Sequence, residues 1–440
     1  DGSGFLYGLG VAPAYSIFAM NPICNNAASW PPAGGWQENS KQAVLGNAVG
    51  SNNSWTTSEG TQHGYQASER THDFMVRDGN FDTAAVAEPI MTVFSAGNSG
   101  NSGITAPKEA KNIIVTASSE NFRAGSINTI SSFSSRGPAV DGRVGITIAA
   151  PGGEIASTMS DTGGSCTTAI GGTGNRYSFC SGTSMASPHA SGALALITEW
   201  WRDINAGATP SPAMARALLV NGAVDMGTAD IPNINEGWGR INVTQVISPS
   251  ADVRYYDQTH LFTETGQQWP LVVGIMDPTK PAKITLTWSD APGAVGANPA
   301  LVNNLDLQVT NNGNTYLGNV FTSGWSATGG TADTRHNTEN VYIQNPTGDM
   351  TIVVAATNIA GDGVPYNGDA TDQDFALVCY NCALEPDFSL LATPASYETC
   401  TLTTTSVEYN ITVGSIMSFT DQVDLSVLGN PAGTVNEFLR

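Results

Sequence analysis

The chain has 440 residues, 40% of them hydrophobic, and this length favours two or three domains, each with its own core. Acidic residues outnumber basic ones 38 to 17, and the resulting formal charge of -21 argues against nucleic acid and anionic membranes as partners. The sequence has no run of about 18 apolar residues, so it predicts no segment that spans a membrane.

Residues 1–249 alternate short apolar runs with glycine-bounded turns and longer helical stretches. Helical periodicity is present from about Thr183 and again from Ser211. The runs that predict strands occupy 90–97, 112–118 and 146–152. Each run ends in small residues, as is typical of parallel strands that lead into loops. We therefore predict an α/β domain with a parallel sheet over 1–249.

The pattern changes after residue 249, because long helical periodicity gives way to alternating segments separated by Gly, Asn and Pro turns. Residues 250–384 are predicted to form an all-β jelly-roll sandwich. Residues 385–440 alternate in the same way and predict the start of an immunoglobulin-like module. This last segment has too few strands to close a sandwich, so we expect the module to be truncated.

The cysteines indicate an oxidising compartment. Cys166 and Cys180 flank a loop rich in Gly, Thr and Ser, which predicts a disulfide-closed loop. A lone C-x-x-C has no second pair to complete a zinc site, so disulfides are favoured for the remaining cysteines as well. The sequence leaves open the partners of Cys24, Cys379, Cys382 and Cys400.

A candidate nucleophile, Ser184, lies where the predicted helix from Thr183 begins, among Gly182, Ala186 and Ser187. Small neighbours let a substrate backbone approach closely. The free amide and the dipole at a helix N-terminus favour the negative charge of a tetrahedral intermediate. A serine in this position can also act only as a helix cap.

The segment GTSMASPHASGALALI around Ser184 resembles the nucleophile signature of the subtilisin superfamily, and SAGNSG around Asn98 resembles its oxyanion element. This resemblance implies a serine endopeptidase that cleaves proteins and peptides through an acyl-enzyme, without an organic cofactor. It assigns the attack to Ser184 and an oxyanion donor to Asn98. The two edges of the primary specificity pocket would be formed by Ser54, Trp55, Thr56, Ser95, Ala96 and Gly97.

The catalytic Asp and His of the family precede its GVAP element, which begins here at Gly10, so the resemblance implies that both residues lie upstream of Asp1. His189 follows Ser184 by five residues, about 140° around the helix axis, and is not expected to face the serine. His63 is a poor candidate for the base. The favoured explanation is truncation; a separate segment or a degenerate, non-catalytic scaffold stays open. An α/β-hydrolase ranks last, because Ala186 stands where that family requires glycine.

Segments within 288–343 resemble the carboxyl-terminal jelly-roll domain of a subtilase branch typified by bacterial alkaline proteases. The resemblance implies structural calcium, with Asp306, Asp333 and Glu339 as candidate ligands. It also implies a secreted, extracellular, bacterial protein, which we expect to be a monomer.

Overall fold

The computed structural model describes residues 8–17, 35–83, 85–160, 166–227, 230–383, 387–393, 407–416 and 422–427. Cys24 and Cys400 lie outside these residues. The helices are α1 (Gly35–Leu45), α2 (Ala67–Arg77), α3 (Thr183–Ile204), α4 (Pro212–Asn221) and α5 (Val243–Ile247). The predicted helix start at Thr183 is confirmed. Within the described ranges, no helix combines the length and the apolarity needed to cross a membrane.

A parallel sheet organises the first part of the chain. Its strands, in spatial as well as chain order, are β1 (Gly50–Asn53), β2 (Met91–Ser95), β3 (Ile114–Ser119) and β4 (Ile148–Pro151). Every residue of β2 and β3 is buried, as expected for strands covered on both faces. The predicted α/β fold with a parallel sheet is therefore confirmed, and the end of β2 leads directly into the SAGNSG segment.

A small antiparallel sheet lies between the parallel sheet and α3 in the sequence. Its strands, with β7 in the centre, are β5 (Ile155–Thr158), β6 (Thr168–Ala169) and β7 (Tyr177–Cys180). The predicted disulfide bond joins Cys166 to Cys180. It ties the loop before β6 to the last residue of β7, four positions before Ser184.

The second half of the chain is rich in strands, in agreement with the predicted change of pattern. Its strands are β8 (Val253–Phe262), β9 (Gln268–Ile275), β10 (Ala282–Thr287), β11 (Asn304–Asn311), β12 (Asn314–Thr322), β13 (Trp325–Thr328), β14 (Thr338–Ile343), β15 (Asp349–Asn358), β16 (Gln373–Tyr380), β17 (Cys382–Ala383), β18 (Asp387–Thr393) and β19 (Asn410–Ile416). A four-stranded sheet (β14-β10-β16-β8) and a six-stranded sheet (β13-β12-β11-β15-β9-β17) share one hydrophobic core. A second disulfide bond joins Cys379 to Cys382, and β18 pairs with β19.

Helix α4 connects the two halves. Ser211 caps it by accepting a hydrogen bond from the Met214 amide at 2.9 Å, and Pro212 occupies the first turn, where a missing amide hydrogen is tolerated. All of its residues are buried, and its apolar side chains share a core with α3, the parallel sheet and Val378 of β16. The parallel sheet and the strand-rich half therefore both pack against one buried helix.

A buried ion pair also crosses between the halves. Lys111, which precedes β3, donates to the carboxylate of Asp290 and to the carbonyls of Ala291 and Ala300. Both charged side chains are fully buried. Asp290 also accepts from the amides of Val302 and Asn303, so the lone pairs that face the protein are satisfied.

We expect Asp290→Ala to lower the free energy of unfolding by about 3–5 kcal/mol, because it leaves the Lys111 ammonium buried and unpaired. Urea denaturation followed by tryptophan fluorescence measures this loss. Asp349→Ala, which removes an exposed carboxylate on β15, is the matched control and should change stability by no more than about 0.5 kcal/mol. Equal losses in the two variants would contradict a structural role for the pair.

Candidate active site

Ser184 lies in the first turn of α3, with Gly182 at the N-cap position. Its side chain is half-buried, and its Oγ donates a hydrogen bond of 3.4 Å to the carbonyl of Ser54. The first amides of a helix have no partner within the helix. The Ser184 amide is one of these, so it can donate to a group outside α3.

Pro188 explains how the serine is held from its other side. A proline inside a helix has no amide hydrogen, so the carbonyl four residues earlier loses its usual donor. In α3 that carbonyl belongs to Ser184, and the Ser54 hydroxyl donates to it at 2.9 Å. Ser54 therefore contacts Ser184 through both its hydroxyl and its carbonyl, which fixes the candidate nucleophile against the end of β1.

Asn98 is held in one orientation by the start of α3. Its Oδ1 accepts hydrogen bonds from the Thr183 amide and the Thr183 hydroxyl, each at 2.9 Å. The same hydroxyl accepts from the Gly97 amide at 3.1 Å. Because Oδ1 is occupied in this way, the Asn98 Nδ2 group is directed away from Thr183 and has its hydrogens available.

Two donors converge beside Gly182. A Cβ atom placed on Gly182 would lie 3.5 Å from Asn98 Nδ2 and 3.7 Å from the Ser184 amide nitrogen. Both N–H groups therefore border the same small space, and a side chain at residue 182 would partly fill it. Two donors and a helix N-terminus around one space form an arrangement that can stabilise an oxyanion.

A comparison with known families gives the identity of this part of the chain. The model of the subtilase family matches residues 3–239, more than half of the 440 residues, and the match includes Asn98 and Ser184. The chain belongs to the subtilase family.

Curated relatives of this subtilase are serine proteases. The chain is 27% identical to the serine protease/ABC transporter B family protein tagD of Dictyostelium discoideum, over 58% of this chain and 18% of that protein. It is 34% identical to a thermophilic serine proteinase of Bacillus sp. (strain AK1), over 26% of this chain and 22% of that enzyme. A thermostable alkaline protease of Halalkalibacterium halodurans is 28% identical over 43% of this chain and 41% of that enzyme. The chain thus spans less than half of the length of each relative.

The two predicted edges of the substrate pocket border one common segment, 104–106. The Thr56 hydroxyl donates to the carbonyl of Ala106 at 2.9 Å, and the Thr105 amide donates to the carbonyl of Ala96 at 3.3 Å. Ser95, Ala96 and Gly97 are buried, whereas Thr56 is exposed. Trp55 stacks on Trp36 with ring centroids 4.1 Å apart. Of the six predicted pocket residues, Ser54 contacts Ser184 and Gly97 contacts Thr183, and the role of the six as a substrate pocket stays a prediction.

None of the five histidines, all within the described ranges, hydrogen-bonds to Ser184. The His189 ring bonds to the Met185 carbonyl at 2.8 Å, on α3 itself. Burial lowers the pKa of His72 to about 4, so this ring is neutral where it packs between Trp55 and Phe94. The remaining rings lie near Glu69 (His63), Phe262 (His260) and Asp333 (His336). The described histidines therefore make no hydrogen bond to Ser184, and an upstream catalytic His stays a prediction.

The three acidic residues predicted to bind calcium differ in how their oxygens are used. Asp333 accepts from the His336 ring at 2.6 Å and from Asn319 at 2.7 Å, and although burial opposes it, the bond from His336 helps lower the pKa of Asp333 to about 2. Asp306 accepts from Asn304 and Thr357. Glu339 Oε1 is buried without a partner; burial, Asp333 and Asp306 raise the pKa of this carboxyl.

Among the three predicted ligands, Glu339 is the one with a buried carboxylate oxygen that has no hydrogen-bond partner, and calcium binding stays a prediction. Asp333 is engaged by His336, so its oxygens are not free to bind a cation. Among the described residues, no three His, Cys, Asp or Glu side chains are grouped so that they could hold a metal ion. The three carboxylates have the negative charge that calcium prefers. They leave too few free oxygens for the roughly six to eight ligands that calcium binds.

Sequence reasoning missed the contacts that position the site. Thr183 orients Asn98, Pro188 frees the carbonyl of Ser184, and Ser54 occupies that carbonyl. Pro188 was visible as a proline inside a predicted helix, and its consequence four residues earlier follows from helix geometry. The contact between Ser54 and Ser184 joins residues 130 positions apart, so no local pattern indicates it.

Proposed function

We propose that this subtilase chain carries the nucleophile and the oxyanion donors of a serine endopeptidase that cleaves extracellular proteins. The observation that carries the proposal is the convergence of the Ser184 amide and Asn98 Nδ2 on one space beside the Ser184 hydroxyl. A tetrahedral intermediate needs both its nucleophile and its oxyanion donors within about 3 Å. Hydrogen bonds from Thr183 to Asn98 and from Ser54 to Ser184 hold these residues in place.

In the proposed reaction the substrate lies along Ser54–Thr56 and Ser95–Gly97 as an added strand. Ser184 Oγ forms a bond to the carbonyl carbon and gives its proton to a base. The carbonyl oxygen becomes an oxyanion that accepts from Asn98 Nδ2 and from the Ser184 amide. Collapse of the intermediate breaks the C–N bond, the base protonates the leaving amine, and water then hydrolyses the acyl-enzyme.

The base and its orienting carboxylate are proposed to come from residues outside 1–440, because none of the histidines here contacts Ser184. A non-catalytic scaffold is the second candidate, and the same observation favours it. Turnover of a chromogenic peptide separates the two. We expect cleavage by the full-length protein and little or none by residues 1–440 alone. A full-length protein that neither cleaves nor reacts with a fluorophosphonate would be a scaffold. Robust turnover by 1–440 would contradict our assignment of the histidines.

Secretion into an oxidising, extracellular compartment is supported by the disulfide bonds Cys166–Cys180 and Cys379–Cys382. The shared core of the two antiparallel sheets supports the proposed jelly-roll domain over 250–384. The pairing of β18 with β19 is compatible with an immunoglobulin-like module after residue 384. A bacterial source and a monomeric state stay predictions.

Calcium binding stays a prediction, now centred on Glu339. If calcium binds there, millimolar calcium should raise the melting temperature of the protein, because a bound cation neutralises a buried carboxylate. Glu339→Gln should remove the increase, and Glu264→Gln, on an exposed loop, should keep it. Thermal melts in calcium and in chelator test this. Equal melting temperatures in the two solutions would show that no stabilising calcium site exists.

A further inference from the structure

Lys108 is a buried cation without a carboxylate partner. The residue is 1% exposed, and its ammonium donates to the Thr105 hydroxyl at 2.6 Å and to the Ala106 carbonyl at 3.4 Å. It forms no ion pair with any carboxylate in the part of the chain that the structure describes. Buried charges in proteins are normally paired with an opposite charge. Lys108 is therefore an unusual buried lysine.

The neighbouring Lys111 is a buried lysine that is paired with a carboxylate. It is also buried, but it pairs with Asp290 and donates to two carbonyls between the halves of the molecule. Lys108 has only neutral acceptors. Its burial lowers the pKa of the Lys108 ammonium to about 7, and Glu69 offsets this only in part. The two lysines therefore differ: Lys111 bonds directly to a carboxylate, whereas in the described ranges Lys108 bonds only to neutral acceptors and interacts with the Glu69 carboxylate only at longer range.

Lys108 lies where the two predicted edges of the substrate pocket meet. Its first acceptor, the Thr105 hydroxyl, lies against the Ser95–Gly97 edge, since a Cβ atom on Gly97 would be 2.6 Å from it. Its second acceptor, the Ala106 carbonyl, also accepts from the Thr56 hydroxyl of the other edge at 2.9 Å. The ammonium is thus bonded to Thr105 and Ala106, the two residues that both predicted edges contact.

We propose that Lys108 is a specificity-determining residue, which selects substrates with an acidic side chain, Asp or Glu, on the acyl side of the scissile bond. This inference rests on the proposed function of Ser184. A carboxylate entering between the two edges would supply a directly bonded counter-charge, which none of the described carboxylates provides. An apolar side chain would leave the buried ammonium unpaired, which disfavours its binding.

Binding of product-like peptides tests the inference without catalysis. The full-length protein carrying Ser184→Ala is titrated with acetylated tetrapeptides that differ only in a C-terminal Glu or Gln. We expect the Glu peptide to bind about tenfold more tightly or better, because an ion pair of this kind contributes at least about 1.4 kcal/mol. Lys108→Met should abolish the difference. Lys280→Met, which removes a lysine from the strand-rich half, is the control and should keep it.

The outcomes separate this inference from the proposed function. Equal affinity for the Glu and Gln peptides overturns it, as does absence of binding by either peptide or a preference that survives in Lys108→Met. The Glu and Gln comparison uses the native Lys108, so it is valid even if the variant does not fold. Cleavage after apolar residues by the protein with native Ser184 and Lys108 would support the proposed function and overturn this inference. Tighter binding of the Glu peptide by a protein that cleaves no peptide would support the inference about Lys108 and overturn the proposed function.

Discussion

Replacing Ser184 with Ala in the full-length protein is expected to lower kcat by about 10⁴–10⁶-fold while peptide binding is kept. The serine oxygen is the atom that forms the covalent bond in the proposed mechanism, and the oxyanion donors alone retain only a small residual rate enhancement. The substitution removes one hydroxyl, which donates a long hydrogen bond of 3.4 Å to the Ser54 carbonyl. Steady-state hydrolysis of a chromogenic peptide measures the effect.

The same helix offers the control for this experiment. Ser191 of α3 also donates to a carbonyl, that of Ser187 at 3.2 Å, but it lies two turns beyond the candidate nucleophile. Ser191→Ala should therefore retain wild-type kcat. A Ser184→Ala variant that keeps more than about a tenth of the activity would show that another residue attacks the substrate.

Replacing Asn98 with Ala is expected to lower kcat by about 10²–10³-fold with little change in KM. The lost Nδ2 donor acts on the oxyanion, which exists in the transition state and not in the bound substrate. The Asn98 Oδ1 group also holds Thr183 at the start of α3. The unfolding transition of the variant should therefore be recorded beside its kinetics, to separate loss of the donor from loss of the fold.

Asn101 supplies the matched control for Asn98. It is an exposed asparagine three residues further on, and its side chain contacts Arg136 rather than α3. Asn101→Ala should leave both kcat and KM unchanged. If Asn98→Ala raised KM and left kcat as it was, Asn98 would bind the substrate uniformly and would not act as an oxyanion donor.

The sequence indicates the candidate catalytic residues of this site, but not the contacts that hold them in position. The Ser184 and Asn98 segments are local patterns, and the buried strand before Asn98 follows from its apolar run. The contacts that hold these residues are between distant positions: Ser54 with Ser184, and Thr183 with Asn98. Such pairs depend on how strands and helices pack, which no short window of sequence records.

The same limit applies to the buried charges. Lys108 and Lys111 stand three residues apart in a segment of mixed polar and apolar residues, and composition favours a solvated position for both. The partner of Lys111 is Asp290, 179 positions away. Only the packed structure shows that, in the described ranges, no carboxylate bonds directly to Lys108. The loop around Cys166 and Cys180 is the opposite case, because both of its ends lie within one local pattern.

The most direct test of the account is to locate the residue that a fluorophosphonate modifies. The full-length protein is labelled and digested, and the adduct is assigned by tandem mass spectrometry. We predict a single phosphonyl group on Ser184, within the peptide that begins after Arg176 and ends at Arg202 if trypsin is used. An adduct on any residue other than Ser184 would contradict the assignment of Ser184 as the nucleophile. The assignment would also be contradicted if the protein cleaved peptide substrates while the fluorophosphonate left Ser184 unlabelled.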